Sequence, residues 1–162
     1  MPNQQLLLAT KKLADGNGLG DVVRNPTTAD FVGALSMTGN ESSGKSSIVA
    51  RMLGVTLTPS SHKTSTRLPL SIYHNYDETR DAPLVESLRL PQIKHPDGTI
   101  LSKETELEDL TADECFTKIN TIYDLVRDEL GESELCKSEI VIRVRSQAAP
   151  TMVIIDIPGI VK

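Results

Sequence analysis

The run Gly39-Asn40-Glu41-Ser42-Ser43-Gly44-Lys45-Ser46 has the spacing G-x-x-x-x-G-K-[ST]. Each residue type in it suits a polyphosphate. Glycines let the backbone curl so that successive N–H groups converge on anionic oxygens. A helix opening at this point adds the positive end of its dipole. Lys45 brings a mobile positive charge for the outer phosphates. Ser46 offers a hydroxyl to Mg2+, an ion that prefers oxygen ligands and keeps several waters. Far along the chain, Asp156 closes the apolar stretch Met152–Ile155 and opens Asp156-Ile157-Pro158-Gly159. A carboxylate at the end of a buried strand can reach a metal ion directly or through water. The backbone N–H of Gly159 can meet a terminal phosphate. Alone, this second motif reads as a polar strand end and a turn around Pro158. With the loop upstream, Asp156 and Gly159 join Gly39, Asn40, Glu41, Ser42, Ser43, Gly44, Lys45, Ser46 and Ser47 as candidate nucleotide-binding residues.

Such a loop works only between a strand and a helix, and the flanks supply both. Phe31–Met37 is apolar with small residues, as a buried strand is. Ser46–Leu53 has helical character and is closed by Gly54. Leu68–Tyr73 is a second strand, with Pro69 breaking it near its start. Residues 74–101, polar and punctuated by Pro83, Pro91, Pro96 and Gly98, are expected to form an irregular insertion with a turn at Pro96-Asp97-Gly98. The clearest helix follows. Thr111 and Glu114 form a capping box, and Phe116, Ile119, Ile122 or Tyr123, Val126 and Leu130 recur at helical spacing up to Gly131. Glu139–Arg145 alternates as a half-buried strand with Arg143 and Arg145 on its solvated face. Met152–Ile155 is a buried strand. Ahead of all this, residues 3–14 suggest a short helix, and Asp15–Gly20 a flexible connector. Strands and helices intermix, so the class is α/β.

Composition narrows the function. The chain has 162 residues, 17 Lys plus Arg against 22 Asp plus Glu, and a net charge of -5. An acidic balance argues against a general nucleic-acid binder. Aromatic residues make up 3% with no Trp, too few for a base-stacking module. No apolar run reaches the length of a membrane span. No small-residue cleavage site follows the Leu6–Leu8 patch, so no signal peptide is expected. Cys115 and Cys136 lack metal-type spacing and read as reduced cytosolic thiols.

Three motifs taken together resemble the dynamin family of large GTPases, which includes the Mx proteins. They are Gly39–Ser47 (GNESSGKSS), Thr66-Arg67-Leu68-Pro69 and Asp156-Ile157-Pro158-Gly159, in that order. The interval from Lys45 to Asp156 is too long for a Ras-like small GTPase, and Asp156-Ile157 lacks the Asp-Glu pair usual in ABC-type ATPases. The resemblance runs from Phe31 to Lys162, with residues 74–138 matching in layout only. It implies a P-loop NTPase fold of the dynamin type, here an incomplete three-layer α/β/α sandwich. Residues 1–28 would be an N-terminal helix and connector, and residues 29–162 the N-terminal half of the GTPase domain. It also implies GTP as substrate and Mg2+ as cofactor, with Ser46, Thr66 and Asp156 around the metal. Glu41, Lys45 and Thr66 would act in catalysis, Thr66 closing on the γ-phosphate and presenting the attacking water. Hydrolysis in this family is in-line attack, carried by positioning and charge stabilisation. Family members typically dimerise through this domain and remodel membranes through other segments. The resemblance therefore implies GTP or GDP as ligand, a homodimer or oligomer in the full protein, no nucleic acid, and a cytoplasmic location with peripheral membrane contact through absent segments.

Two departures from the family pattern stand out. Glu41 occupies the place where dynamins usually carry a Gln that positions the catalytic water. A carboxylate facing phosphate would cost roughly 3 kcal/mol per charge pair at ~5 Å and an effective dielectric near 20, so slower hydrolysis is expected. Ser60-Ser61-His62-Lys63 replaces a Gly-containing loop that helps bind a monovalent cation. Lys63 there reads as a solvated lysine, or as a fixed positive charge at the transition state. The guanine-reading T-K-x-D element is not seen. Thr117-Lys118-Ile119-Asn120 lacks the Asp and lies in a helix. A P-loop ATPase or kinase of another family, and a degenerate nucleotide-binding module, are the rival readings.

Overall fold

The computed structural model describes residues 33–38, 44–58, 68–130 and 138–156. The helix expected at 3–14, the connector after it and the domain boundary near residue 28 lie outside the described residues. In chain order the elements are β1 (Gly33–Met37), α1 (Lys45–Leu53), β2 (Leu70–Tyr76), β3 (Leu84–Leu90), β4 (Ile93–Lys94), β5 (Ile100–Ser102), β6 (Thr105–Leu110), α2 (Ala112–Leu130), β7 (Ile140–Ser146) and β8 (Met152–Asp156). Six strands form one sheet in the order β1-β8-β2-β7-β3-β6, and β4 pairs with β5 in a small hairpin. The pairs β1–β8 and β2–β7 are parallel, and β8–β2, β7–β3 and β3–β6 are antiparallel.

The helices follow from their apolar spacing. In α1, Lys45, Val49 and Leu53 lie on one face and are buried. Gly54 ends the helix with φ 67°, a left-handed cap whose N–H reaches the carbonyl of Ala50. In α2 the capping box forms as expected. The Thr111 N–H donates to the Glu114 carboxylate at 2.8 Å, and the Glu114 N–H donates back to Thr111 Oγ1 at 3.2 Å. Its packed face is Cys115, Ile119, Ile122, Tyr123 and Val126. Phe116, expected on that face, is only half-buried, and Cys115 takes its place one residue back around the helix.

Both helices press on the same face of the sheet. Their apolar residues share one core with Leu70 and Ile72 of β2, Ile140, Ile142 and Val144 of β7, Val85 and Leu88 of β3, and Ile154 of β8. Register explains the match, because Ile72 lies opposite both Ile142 and Ile154. Each fully buried Leu or Ile stabilises by roughly 1.5–3 kcal/mol. The second helical layer of a three-layer sandwich is not among the described residues. The opposite face of the sheet carries Tyr73, Val141 and Val153, also buried, with the Arg143 guanidinium 5.2 Å above the Tyr73 ring.

Two expectations are corrected, and one strand is added. Residues 74–101 are not an irregular insertion: β3 lies inside the sheet between β7 and β6. Its polar look comes from a bulge between Val85 and Ser87, which shifts the alternation in mid-strand. Pro83 and Pro91 bracket the strand rather than break it. Pro96-Asp97-Gly98 does turn the chain, between β4 and β5, where Gly98 N–H donates to the His95 carbonyl at 2.8 Å. Residues 105–110 form a further strand. Its glutamates are exposed along a charged outer edge, a composition that discourages edge-to-edge association. Met152–Ile155 is a largely buried strand, as expected. It runs between β1 and β2; among the described residues β1, expected as a buried strand, is instead the sheet's edge at that end, with Ala34, Leu35 and Ser36 exposed. Because β2 runs back antiparallel beside β8, the other side of β8 is filled from within the chain.

Candidate functional site

The strand pairings bring the two phosphate motifs together. Parallel register sets Met37, the last residue of β1, opposite Asp156, the last of β8. Antiparallel register sets Leu70, the first residue of β2, opposite Asp156 as well. The outgoing ends of β1 and β8 and the incoming end of β2 therefore meet at one edge. In open α/β sheets, ligands bind beyond the carboxyl ends of the strands.

Gly44 introduces α1 at this edge with φ 84° and ψ 13°. An L side chain would be strained in that left-handed conformation. Among the described residues, a Cβ there would meet nothing within 4 Å. α1 has no side-chain cap hydrogen bond and no acidic residue in its first turn. Its first amides are thus not covered by a side chain of their own, as suits a helix end that receives an anion. Lys45 begins the helix and is 9% exposed, and Asp156 is 1% exposed. Between them sits Ser46, whose hydroxyl donates to Asp156 Oδ2 at 3.4 Å. That distance exceeds an ordinary hydroxyl–carboxylate hydrogen bond. The two oxygens are close neighbours rather than a closed pair.

This donor set fits Mg2+. It offers one hydroxyl oxygen and one carboxylate oxygen, both hard ligands, and leaves the other positions to water and phosphate. Among the described residues, no group of three or more His, Cys, Asp or Glu side chains could hold a metal ion elsewhere. Cys115 is buried and its thiol is pushed up to about 12 by desolvation, so it is inert as a nucleophile or ligand.

Of the expected site residues, Gly44, Lys45, Ser46, Ser47 and Asp156 are described. The first three and Asp156 converge, and Ser47 is exposed beside them. Gly39, Asn40, Glu41, Ser42, Ser43, Lys63, Thr66 and Gly159 lie outside the described residues. Sequence reasoning had no hold on Arg89, Lys94, Glu104 and Glu139, farther along the same edge. Singly they look like ordinary solvated charges, and only the pairing of β3, β6 and β7 gathers them.

The family model described as "Dynamin family" matches residues 35–162. The chain belongs to the dynamin family. It is similar to "Phragmoplastin DRP1A" of Arabidopsis thaliana, 28% identical over 144 residues, which is 88% of this chain and 21% of that protein. It is also similar to "Interferon-induced GTP-binding protein Mx1" of Rattus norvegicus, 29% identical over 133 residues, 80% of this chain and 17% of that protein. The chain thus spans about a fifth of the length of these relatives. For a dynamin-family chain, the mixed sheet with β1, α1 and β8 is part of a P-loop G domain. No helix among the described residues is long and apolar enough to cross a membrane.

Proposed function

We propose that this chain binds GTP at the β1–α1 edge with Mg2+, as part of a dynamin-like GTPase that hydrolyses it. The observation that carries the reading is the meeting of Ser46 with Asp156 at the strand edge where Gly44 opens α1 and Lys45 begins it. Lys45 neutralises charge on the outer phosphates. The α1 amides and the loop Gly39–Gly44 cradle them. Ser46 and Asp156 hold the metal shell, which when filled by Mg2+ screens phosphate charge and polarises the phosphoryl group. Thr66 lies shortly before Leu70, and Leu70 pairs with Asp156. We assign Thr66 to the same metal shell and to the attacking water, Glu41 to the position that orients the water, and Gly159 to the γ-phosphate. Guanine rather than adenine is taken from family membership and from the rat Mx1 relative, a GTP-binding protein. Self-association through this domain, a cytoplasmic location and membrane remodelling through other segments belong to the same proposal.

The test is a titration of the chain with fluorescent GTP and ATP analogues, with Mg2+ and with EDTA. GTP is expected to bind in preference to ATP, and Lys45→Ala to weaken it by about a hundredfold, as loss of a charge-assisted contact does. Asp156→Asn should erode the Mg2+-dependent part of the affinity and spare the part measured in EDTA. Equal binding of ATP would move the chain to another nucleotide class. Binding that ignores Lys45→Ala would remove the site from this edge.

A further inference from the structure

Gly54 ends α1 in a left-handed cap, and a Cβ built on it would stand 3.4 Å from the Cβ of Ala148. Ala148 lies in the turn between Ser146, the last residue of β7, and Met152, the first of β8. The C-terminal end of α1 and the start of β8 therefore meet at one turn. Their other ends meet again at Ser46 and Asp156, 3.4 Å apart. From Gly54 back to Ser46 is roughly 12 Å of helix, and from Met152 on to Asp156 roughly 13 Å of strand. The two elements form a frame with sides of nearly equal length. The turn closes it at one end and the proposed metal pair at the other.

A buried ring fixes the turn. His74 pairs with Met152 across β2 and β8 and is 1% exposed. Nδ1 lies 3.0 Å from the Pro150 carbonyl, which can only accept, so Nδ1 donates. Nε2 then accepts from the Ser146 hydroxyl at 2.8 Å, and the Ser146 oxygen accepts the Ala148 N–H at 3.2 Å. One ring thus grips the turn on both sides and reaches through Ser146 to the residue that touches Gly54. The bond from the Tyr76 N–H to Thr151 Oγ1 on the same turn is exposed to water, whereas the His74–Ser146 bond is buried and stronger for it. An aliphatic side chain would fill this point of the core without the cost of desolvating a polar ring. We propose that His74 is a positioning residue for Ser46 and Asp156, its neutral ring holding the turn from which α1 and β8 both run to the metal. This role rests on the nucleotide reading above and adds to it a dependence on pH. Protonation at Nε2 removes the acceptor of the Ser146 hydroxyl and leaves a charge in the core. The charged groups about the turn are Asp77 and Glu86, both paired with Arg145, then Arg80 and Asp81, which bond Gln147, and Arg51 in the last turn of α1. The ring answers to none of them. Desolvation lowers its pKa, against a smaller opposing pull from the Pro150 carbonyl.

GTP affinity of the 162-residue chain, measured with Mg2+ and with EDTA at about pH 7.5 and about pH 6, tests the role. His74→Leu removes both ring bonds and should weaken the Mg2+-dependent part at least about fivefold, with the affinity in EDTA held. In an Asp156→Asn background the same change should cost nothing further, because the two act on one element of the site. His74→Gln keeps a donor for Pro150 and an acceptor for Ser146, and should restore most of what leucine loses. Between the two pH values the parent should lose more Mg2+-dependent affinity than His74→Gln, protonation of the nucleotide itself being common to both. Circular dichroism establishes which variants are folded, and Ser146→Ala, a smaller change, repeats the leucine test if His74→Leu is not. Folded His74→Leu or Ser146→Ala with the parent's Mg2+ dependence would overturn the role. So would a further loss in the Asp156→Asn background, or an equal loss with pH in the parent and His74→Gln. A parent chain with no Mg2+-dependent binding would overturn the nucleotide reading itself, and this role with it.

Discussion

At the scale of single residues, the site depends on two oxygens and one cation held by opposite ends of the sequence. Ser46 and Asp156 are separated by 110 positions yet lie 3.4 Å apart, because parallel pairing of β1 with β8 leaves no other place for their strand ends. Glu41 stands where the dynamin pattern usually carries Gln, and its charge gives a measurable consequence. In the proposed complex a glutamate in the Gly39–Gly44 loop opposes phosphate charge, at roughly 3 kcal/mol per charge pair at ~5 Å and an effective dielectric near 20. Glu41→Gln is therefore expected to tighten GTP binding and to raise turnover wherever hydrolysis is measurable. Stopped-flow binding and phosphate-release assays on the two forms check this. An unchanged or lower rate in Glu41→Gln would mean that the carboxylate is protonated, turned away or useful, and the like-charge account would fall.

At the scale of elements, helix α2 shows how local rules and packing combine. The reciprocal Thr111–Glu114 bonds satisfy amides that the helix itself leaves open. They also hold the Glu114 carboxyl below its usual range, chiefly through the Thr111 backbone N–H. Thr111→Ala should cost roughly 1 kcal/mol of stability, read as a lower urea midpoint at unchanged m-value. No shift in midpoint would mean that packing alone holds the helix end. This capping box, the Gly54 stop and the apolar spacing of Ile119, Ile122, Tyr123 and Val126 were legible in the sequence because each signal is local. The phosphate loop was legible for the same reason, its residues being adjacent. What escaped was decided by partners far along the chain. The bulge at Val85 and Ser87 hid β3 by breaking its alternation. The Thr-Glu-Leu-Glu pattern of β6 has too few apolar residues to announce a strand and exists because β3 is there to pair with it. The position of β8 inside the sheet depended on β2 turning back beside it, which no local pattern encodes.

At the scale of the whole molecule, the sheet end opposite Asp156 is closed by a buried histidine. His74, the fifth residue of β2 and 1% exposed, bonds at both ring nitrogens. Nδ1 lies 3.0 Å from the Pro150 carbonyl and Nε2 2.8 Å from Ser146 Oγ. A carbonyl can only accept, so Nδ1 carries the proton and Nε2 accepts from the Ser146 hydroxyl. That hydroxyl oxygen also accepts the Ala148 N–H at 3.2 Å. One neutral imidazole thus ties the end of β2, the end of β7 and the turn that leads into β8, the strand that carries Asp156. Desolvation holds its pKa below the ordinary 6.5, against a smaller opposing pull from the Pro150 carbonyl. The unfolded chain therefore takes up this proton before the folded one does. Stability is complete above the unfolded value and falls as pH drops below about 6.5, with slope set by the difference in bound protons. The carboxyls of Asp77, Asp97 and Glu114, all held below their ordinary values by hydrogen bonds, add their own losses only at more acidic pH. Urea unfolding between pH 7.5 and about 5 should show a steady loss in the parent chain, and His74→Gln should flatten that slope whatever it costs at neutral pH. A slope that persists in His74→Gln would assign the acid sensitivity to another group and leave this junction a passive part of the core.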